Sequence, residues 1–186
     1  MNRGSAVRMD FSLTYEPKDE YNETGYHTTY TIYKDSIINN GFKPSVEDGD
    51  WLGEGVYFWD NEENALWWKR KSSLMEKCIF VCDLNCPVEN YLNLDDKSRM
   101  KEFEKFSGKY LSSMISLSKM KPSFSNNDQR RKFFCDIYCT KNDIDILSFT
   151  FEHDITNKLG FKTGTYKRRQ ICVREPKCIS IKDIKE

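Results

Sequence analysis

The chain has 186 residues, 38% apolar and 31% charged, with 29 basic and 29 acidic side chains and a formal net charge of zero. That length suits a single domain with a real core, and the charge balance excludes bulk electrostatic attraction to nucleic acid or an anionic membrane, so any basic preference has to be local. No run of about eighteen apolar residues is present, and positions 1–10 lack the apolar stretch of a secretory signal, so a cytoplasmic protein without membrane partners is expected.

Positions 1–24 are polar and rich in turn formers and predict a loosely held N-terminal arm, leaving 25–186 as one domain. Alternating β-branched and aromatic residues predict a strand over 25–32. Apolar residues at helical spacing over 33–40, closed by Asn40 and Gly41, predict a helix, with Tyr33 in the core. Positions 44–51 read as a loop and 56–59 as a short strand. Asp60 is expected to cap a helix through Ala65, Leu66, Trp67 and Trp68, with Glu62 and Glu63 at the positive end of its dipole. Positions 77–84 form the clearest strand. Asp95 or Asp96 caps a helix through Phe103 and Phe106, and 120–131 reads as an exposed loop. A strand is expected over 145–151, a turn-rich loop over 160–165, and closing strands over 167–174 and 178–181. Strands at both ends with helices between them give an α+β fold, expected as two small sheets with helices outside.

The seven cysteines are an odd number in apolar settings such as Cys78-Ile79-Phe80-Val81-Cys82. Without a secretory signal this favours reduced, packed thiols. The pairs Cys82 with Cys86 and Cys135 with Cys139 carry a weaker zinc reading, because the chain has two histidines and no Cys-x-x-Cys pair.

Three motifs stand apart from any packing requirement: Tyr26-His27-Thr28-Thr29, Leu52-Gly53-Glu54-Gly55-Val56-Tyr57-Phe58, and Arg169-Gln170-Ile171-Cys172-Val173-Arg174. Taken with Ile38-Asn39-Asn40-Gly41-Phe42 and Asn64-Ala65-Leu66-Trp67-Trp68, their order resembles the ADP-ribosyltransferases of the diphtheria-toxin and poly(ADP-ribose) polymerase branch. That branch shows His-Gly-Thr, a helix ending in Gly-Phe, Gly-x-Gly-x-Tyr-Phe, and a catalytic glutamate opening a last strand. The resemblance covers roughly 26–71 and 166–179, with the middle third similar only in general layout.

The resemblance implies a split β-sheet core with flanking helices, NAD as substrate, no metal, and transfer of ADP-ribose with release of nicotinamide. His27, Tyr57 and Gln170 would be the catalytic set. His27 would hold a ribose hydroxyl, for which a neutral imidazole offers one donor and one acceptor. Thr28 stands where the family has glycine, and the backbone there would clamp the nicotinamide carboxamide, with Thr29 beside it. Gly53 and Gly55 would let the backbone approach a flat ligand, and Tyr57 would stack on nicotinamide; the alternative is a hairpin with a packed aromatic.

Gln170 replaces the family's glutamate. It can make the ribose hydrogen bond but brings no charge, a deficit of about 1–2 kcal/mol, on the order of tenfold in rate. Transfer of a single unit, without polymer, is implied. Glu54 is a better compensating carboxylate than Glu175, which alternation from Gln170 puts on the opposite face; a plain surface role for Glu54 is the alternative.

The segment 159–169 carries Lys162, Lys167, Arg168 and Arg169 with Phe161 and Tyr166, and no acid. Cations interleaved with aromatics suit phosphate contact and base stacking, so Tyr166, Lys167, Arg168 and Arg169 are the expected acceptor-binding set, with nucleic acid (RNA or DNA) favoured over protein. The second basic cluster, 129–132, reads more plainly as a solvated helix start. By analogy the chain resembles toxins of toxin–antitoxin or anti-phage systems, with a neutralising partner. The competing expectations are NAD hydrolysis, an idle module binding NAD or nucleic acid, and an RNA 2′-phosphotransferase, which would need more pocket arginines.

Overall fold

A computed structural model describes residues 19–45, 50–71, 75–119, 122–156 and 158–186. The expected N-terminal arm lies outside the described residues up to position 18, and its last part is already in a strand. The elements are β1 (Glu20–Tyr30), α1 (Lys34–Asn40), β2 (Val56–Trp59), α2 (Glu62–Arg70), β3 (Lys77–Pro87), β4 (Tyr91–Asn93), α3 (Lys97–Ser118), α4 (Asn127–Lys141), β5 (Ile146–Thr156), β6 (Lys162–Val173) and β7 (Ile179–Lys185). The α+β class stands. Among the described residues no helix is long and apolar enough to cross a membrane.

The strands form one seven-stranded sheet, ordered β4-β5-β6-β2-β1-β3-β7, in place of two separate sheets. Its middle is a narrow seam. β2 pairs with β6 along its whole length, and β1 with β3 along its whole length, but β1 meets β2 in a single pair, Tyr26 opposite Trp59. Two leaves, β4-β5-β6-β2 and β1-β3-β7, are therefore hinged on one residue pair.

Alternation along the strands builds a core on each face. On one face Val56, Phe58, Phe80, Leu84, Ile171 and Val173 pack with Phe42 from the turn after α1. On the other, Leu147 and Cys172 pack under Phe103 of α3 and Phe134, Cys135 and Tyr138 of α4. All seven cysteines are buried free thiols. Burial raises the pKa of each, to about 12 for Cys82, Cys86 and Cys139, which makes them inert packing groups.

Local chemistry accounts for the boundaries. Gly41, at φ 76°, closes α1. Asn61, not Asp60, caps α2 by accepting from the Asn64 N–H at 2.9 Å. Asp96 caps α3 through the N–H groups of Ser98 and Arg99. Asn126 accepts from the Gln129 N–H at 2.8 Å and starts α4 inside the stretch expected as a loop. The hairpin of β5 and β6 is longer than expected, and the exposed ion pairs Lys162–Asp154 and Lys167–Glu152 lie across its outer half. Tyr33 is 53% exposed and so is not a core residue; within α1, Ile37 packs on the core, and Ile38 is exposed.

Candidate functional site

The site lies at the seam. From His27 to Tyr30, β1 is paired on its β3 side, and no ladder pair continues toward β2. The His27 side chain takes over where that ladder stops. Its Nδ1 lies 2.8 Å from the carbonyl oxygen of Tyr57. A carbonyl only accepts, so Nδ1 carries the proton, and in the neutral ring Nε2 is left as an acceptor. Burial lowers the pKa of His27, against the smaller opposing effect of the Tyr57 carbonyl, and keeps the ring neutral near pH 7. The imidazole is wedged against Phe42 and Phe58, with ring centroids 5.2 and 5.6 Å away.

Tyr57 is held at both ends. Its hydroxyl donates to the Gly53 carbonyl at 2.7 Å and accepts from the Leu52 N–H at 2.8 Å, which cinches the loop before β2 and fixes the plane of the ring. Burial raises the phenol pKa far above its ordinary value, so the hydroxyl stays protonated. Gln170 sits opposite Trp59 in the β2/β6 register and is half-buried. Among the described residues its carboxamide makes no hydrogen bond, unlike the two cations that precede it on β6.

His27, Thr28, Tyr57 and Gln170 border one open cavity of about 670 Å³. Its walls include Trp51, Trp59, Trp67 and Trp68, which are all four tryptophans of the chain. Lys43, Lys71 and Arg168 bring cations to the lining, and Asp50, which faces Lys132 at 3.9 Å, brings the carboxylate. Tyr26, Trp59 and Gln170 form a cross-strand row and share a face, whereas His27 belongs to the opposite alternation and reaches the cavity through the seam.

The other expected site residues divide. Thr28 borders the cavity, but its hydroxyl donates to the Ala65 carbonyl at 3.1 Å and ties β1 to α2; Thr29 lies outside the lining. Gly53 adopts φ 96°, and a β-carbon there would collide with the Asp136 carboxylate. At Gly55 a β-carbon would collide with Cys172 Sγ and the Val173 carbonyl. These glycines allow the close packing of the loop on β6 and α4; Gly55 also borders the cavity, and Gly53 does not.

Along β6, Tyr166, Arg168 and Gln170 border the cavity, while Lys167 and Arg169 take the alternate face. Lys167 pairs with Glu152 at 2.7 Å. Arg169 pairs with Glu23 and donates to the Tyr91 hydroxyl at 2.8 Å and Ser148 Oγ at 3.2 Å. Of the expected acceptor-binding set, Tyr166 and Arg168 thus border the cavity, and Lys167 and Arg169 lie on the other face, each paired with a carboxylate. Glu54 lines a second cavity of about 520 Å³ together with Arg174 and Glu175, so it does not supply a carboxylate beside Gln170.

Sequence reasoning missed the tryptophan walls, His153 and Asn64. His153 stacks on Tyr166 with centroids 5.1 Å apart, and Trp51 lies 5.4 Å beyond it. The signal was present: all four tryptophans fall between positions 51 and 68. Among the described residues no group of His, Cys, Asp and Glu converges as metal ligands. Set against known protein families and against curated proteins, the sequence matches none of them.

Proposed function

We propose that the protein is a mono-ADP-ribosyltransferase that cleaves NAD and moves ADP-ribose to a macromolecular acceptor, with nucleic acid favoured over protein. The observation that carries this reading is the meeting of His27, Tyr57 and Gln170, from three strands, around one cavity at the seam of the sheet. The bond between the ribose anomeric carbon and the nicotinamide nitrogen breaks, and its electron pair leaves with nicotinamide. An oxygen or nitrogen of the acceptor then bonds to that carbon and gives up a proton. The protein's part is positioning and electrostatics.

The geometry supports each role. The His27 Nε2 lone pair suits a ribose hydroxyl as donor. The Tyr57 ring, locked by its two hydrogen bonds, suits stacking on nicotinamide. The uncommitted Gln170 carboxamide suits the nicotinamide ribose. A cavity of about 670 Å³ is in the size range of small-molecule sites. The biological setting we propose is a toxin of a toxin–antitoxin or anti-phage system, acting in the cytoplasm and held in check by a neutralising protein.

One observation favours a second reading, a module that binds NAD without turning it over: the glutamate position holds neutral Gln170, and Glu54 faces the second cavity. Incubation with NAD labelled in its adenylate phosphate separates the two. Label moving to RNA, DNA or protein supports transfer, and free ADP-ribose supports hydrolysis. Intact NAD after prolonged incubation with all three acceptors sinks the enzymatic reading.

A further inference from the structure

The cations of β6 are matched with carboxylates almost without exception. Lys162 pairs with Asp154, Lys167 with Glu152 and Arg169 with Glu23, and Arg174 beyond the strand pairs with Asp136. Arg168 differs. Among the described residues no carboxylate pairs with it, yet its orientation is closely set. Its Cζ lies 3.2 Å from the Trp67 ring centroid and 4.3 Å from that of Tyr166. Its Nε donates to Asn64 Oδ1 at 3.1 Å. The Asn64 amide is oriented in turn, because its Nδ2 donates to Asp60 Oδ1 at 3.3 Å. What remains is the edge carrying the two terminal nitrogens, which has no hydrogen bond among the described residues.

We propose that Arg168 is the phosphate anchor of the cavity, gripping two phosphate oxygens of a nucleotide with its terminal nitrogens, and that Asn64 is its positioning residue. A guanidinium held against aromatic rings with its fork left open can grip phosphate bidentately, which a lysine ammonium matches only as a point charge. The inference rests on the ADP-ribosyltransferase reading for the identity of the phosphate. Arg168 is one alternation step along β6 from Gln170, about 7 Å. The pyrophosphate of NAD hangs from the 5′ oxygen of the same ribose that Gln170 is placed to hold, so the two contacts fall on neighbouring parts of one ligand. A phosphodiester of the acceptor strand is the other source of the same chemistry.

Calorimetric titration of the full chain with ADP-ribose, with inorganic pyrophosphate and with a single-stranded oligonucleotide distinguishes these. Arg168→Gln is expected to weaken ADP-ribose binding roughly 10- to 100-fold, the loss of a charge-assisted pair, and to flatten its salt dependence. Arg168→Lys, the milder variant, should recover part of that loss. Asn64→Ala should weaken binding less than Arg168→Gln, and the double variant should bind no more weakly than Arg168→Gln alone, because Asn64 acts through Arg168.

If Arg168→Gln weakens the oligonucleotide and not ADP-ribose, the anchor stands with the acceptor strand as its ligand. If the wild type binds pyrophosphate through Arg168 but neither NAD nor ADP-ribose, the anchor stands and the transferase reading fails. If the wild type binds ADP-ribose and folded Arg168→Gln and Arg168→Lys both bind all three probes as well as it does, the anchor is overturned and the transferase reading survives.

Discussion

His27 Nδ1 and the carbonyl oxygen of Tyr57 stand 2.8 Å apart, across the seam between β1 and β2. This bond lies one residue past the Tyr26–Trp59 pair, where the backbone ladder between the two leaves ends. A side chain thus bridges a seam that the main chain leaves open, and the same bond fixes which imidazole nitrogen keeps the lone pair. The fold's weakest junction and the candidate site's hydrogen-bond acceptor are set by one contact.

The pH dependence follows from that contact. Burial holds the folded-state pKa of His27 below its ordinary value of about 6.5. The unfolded chain therefore binds the proton more readily, and stability from this residue is present in full above about pH 6.5 and declines as the pH falls toward the lower folded value. Protonation of Nε2 also removes the acceptor while sparing the Nδ1 bond, so nicotinamide release should show an acid limb below about pH 6.5. Thermal unfolding from pH 8 to pH 5 should show a smaller acid loss in His27→Gln than in the wild type. Equal losses would assign the acid sensitivity to other groups, with His153, whose pKa is also lowered by burial and by Arg168 and Lys71, the first to test.

Much of this was legible in the sequence, for physical reasons. Short-range signals translated directly: β2 at 56–59, the Gly41 stop of α1, and β3, whose apolar run is buried on both faces. The three motif residues could be proposed together because each lies on its own strand. The closing strand expected over 167–174 already separates Lys167 and Arg169 from Arg168 by its period of two, and β6 carries that alternation back to Tyr166; which of the two faces meets the cavity was not legible. The partners that decide each cation's role, Glu152, Glu23 and Asn64, come from β5, β1 and α2, and no local pattern announces them. The seam is likewise a matter of register between strands distant in the chain.

Tyr57 separates clamping from stacking. In Tyr57→Phe the buried Leu52 N–H loses its acceptor and the Gly53 carbonyl its donor, which should cost about 1–3 kcal/mol of stability. The ring remains, so NAD affinity should fall less than in Tyr57→Ala. Urea unfolding gives the first quantity and calorimetric titration the second. If Tyr57→Phe loses as much affinity as Tyr57→Ala, the hydroxyl-anchored loop, and not the ring face, is what the ligand needs.

Gln170 tests the charge deficit. Gln170→Glu should raise the rate of nicotinamide release on the order of tenfold, since a charged acceptor stabilises the cationic transition state by about 1–2 kcal/mol more than a neutral one. Glu54→Gln should leave that rate unchanged, because Glu54 faces the other cavity. A rate that falls in Glu54→Gln, with no gain in Gln170→Glu, would move the acidic function to Glu54 and reverse this assignment.

The cations of β6 can be taken one at a time, and their surroundings predict three different outcomes. Lys167 and Glu152 are both well exposed, so Lys167→Ala should leave the denaturation midpoint nearly unchanged and transfer intact. The side chains of Arg169 and Glu23 are only 21% and 24% exposed, so Arg169→Ala leaves a largely buried carboxylate with Tyr21 as its remaining partner, while Tyr91 and Ser148 keep their bond to each other, and should cost about 2–4 kcal/mol. Its effect on transfer should follow that loss of fold and vanish at temperatures where the variant is fully folded. Arg168→Ala should do the reverse, lowering ligand binding and transfer in a chain that still unfolds cooperatively. Denaturant unfolding paired with label transfer resolves all three, and a Lys167→Ala variant as impaired in transfer as Arg168→Ala would show that both faces of the strand meet the substrates.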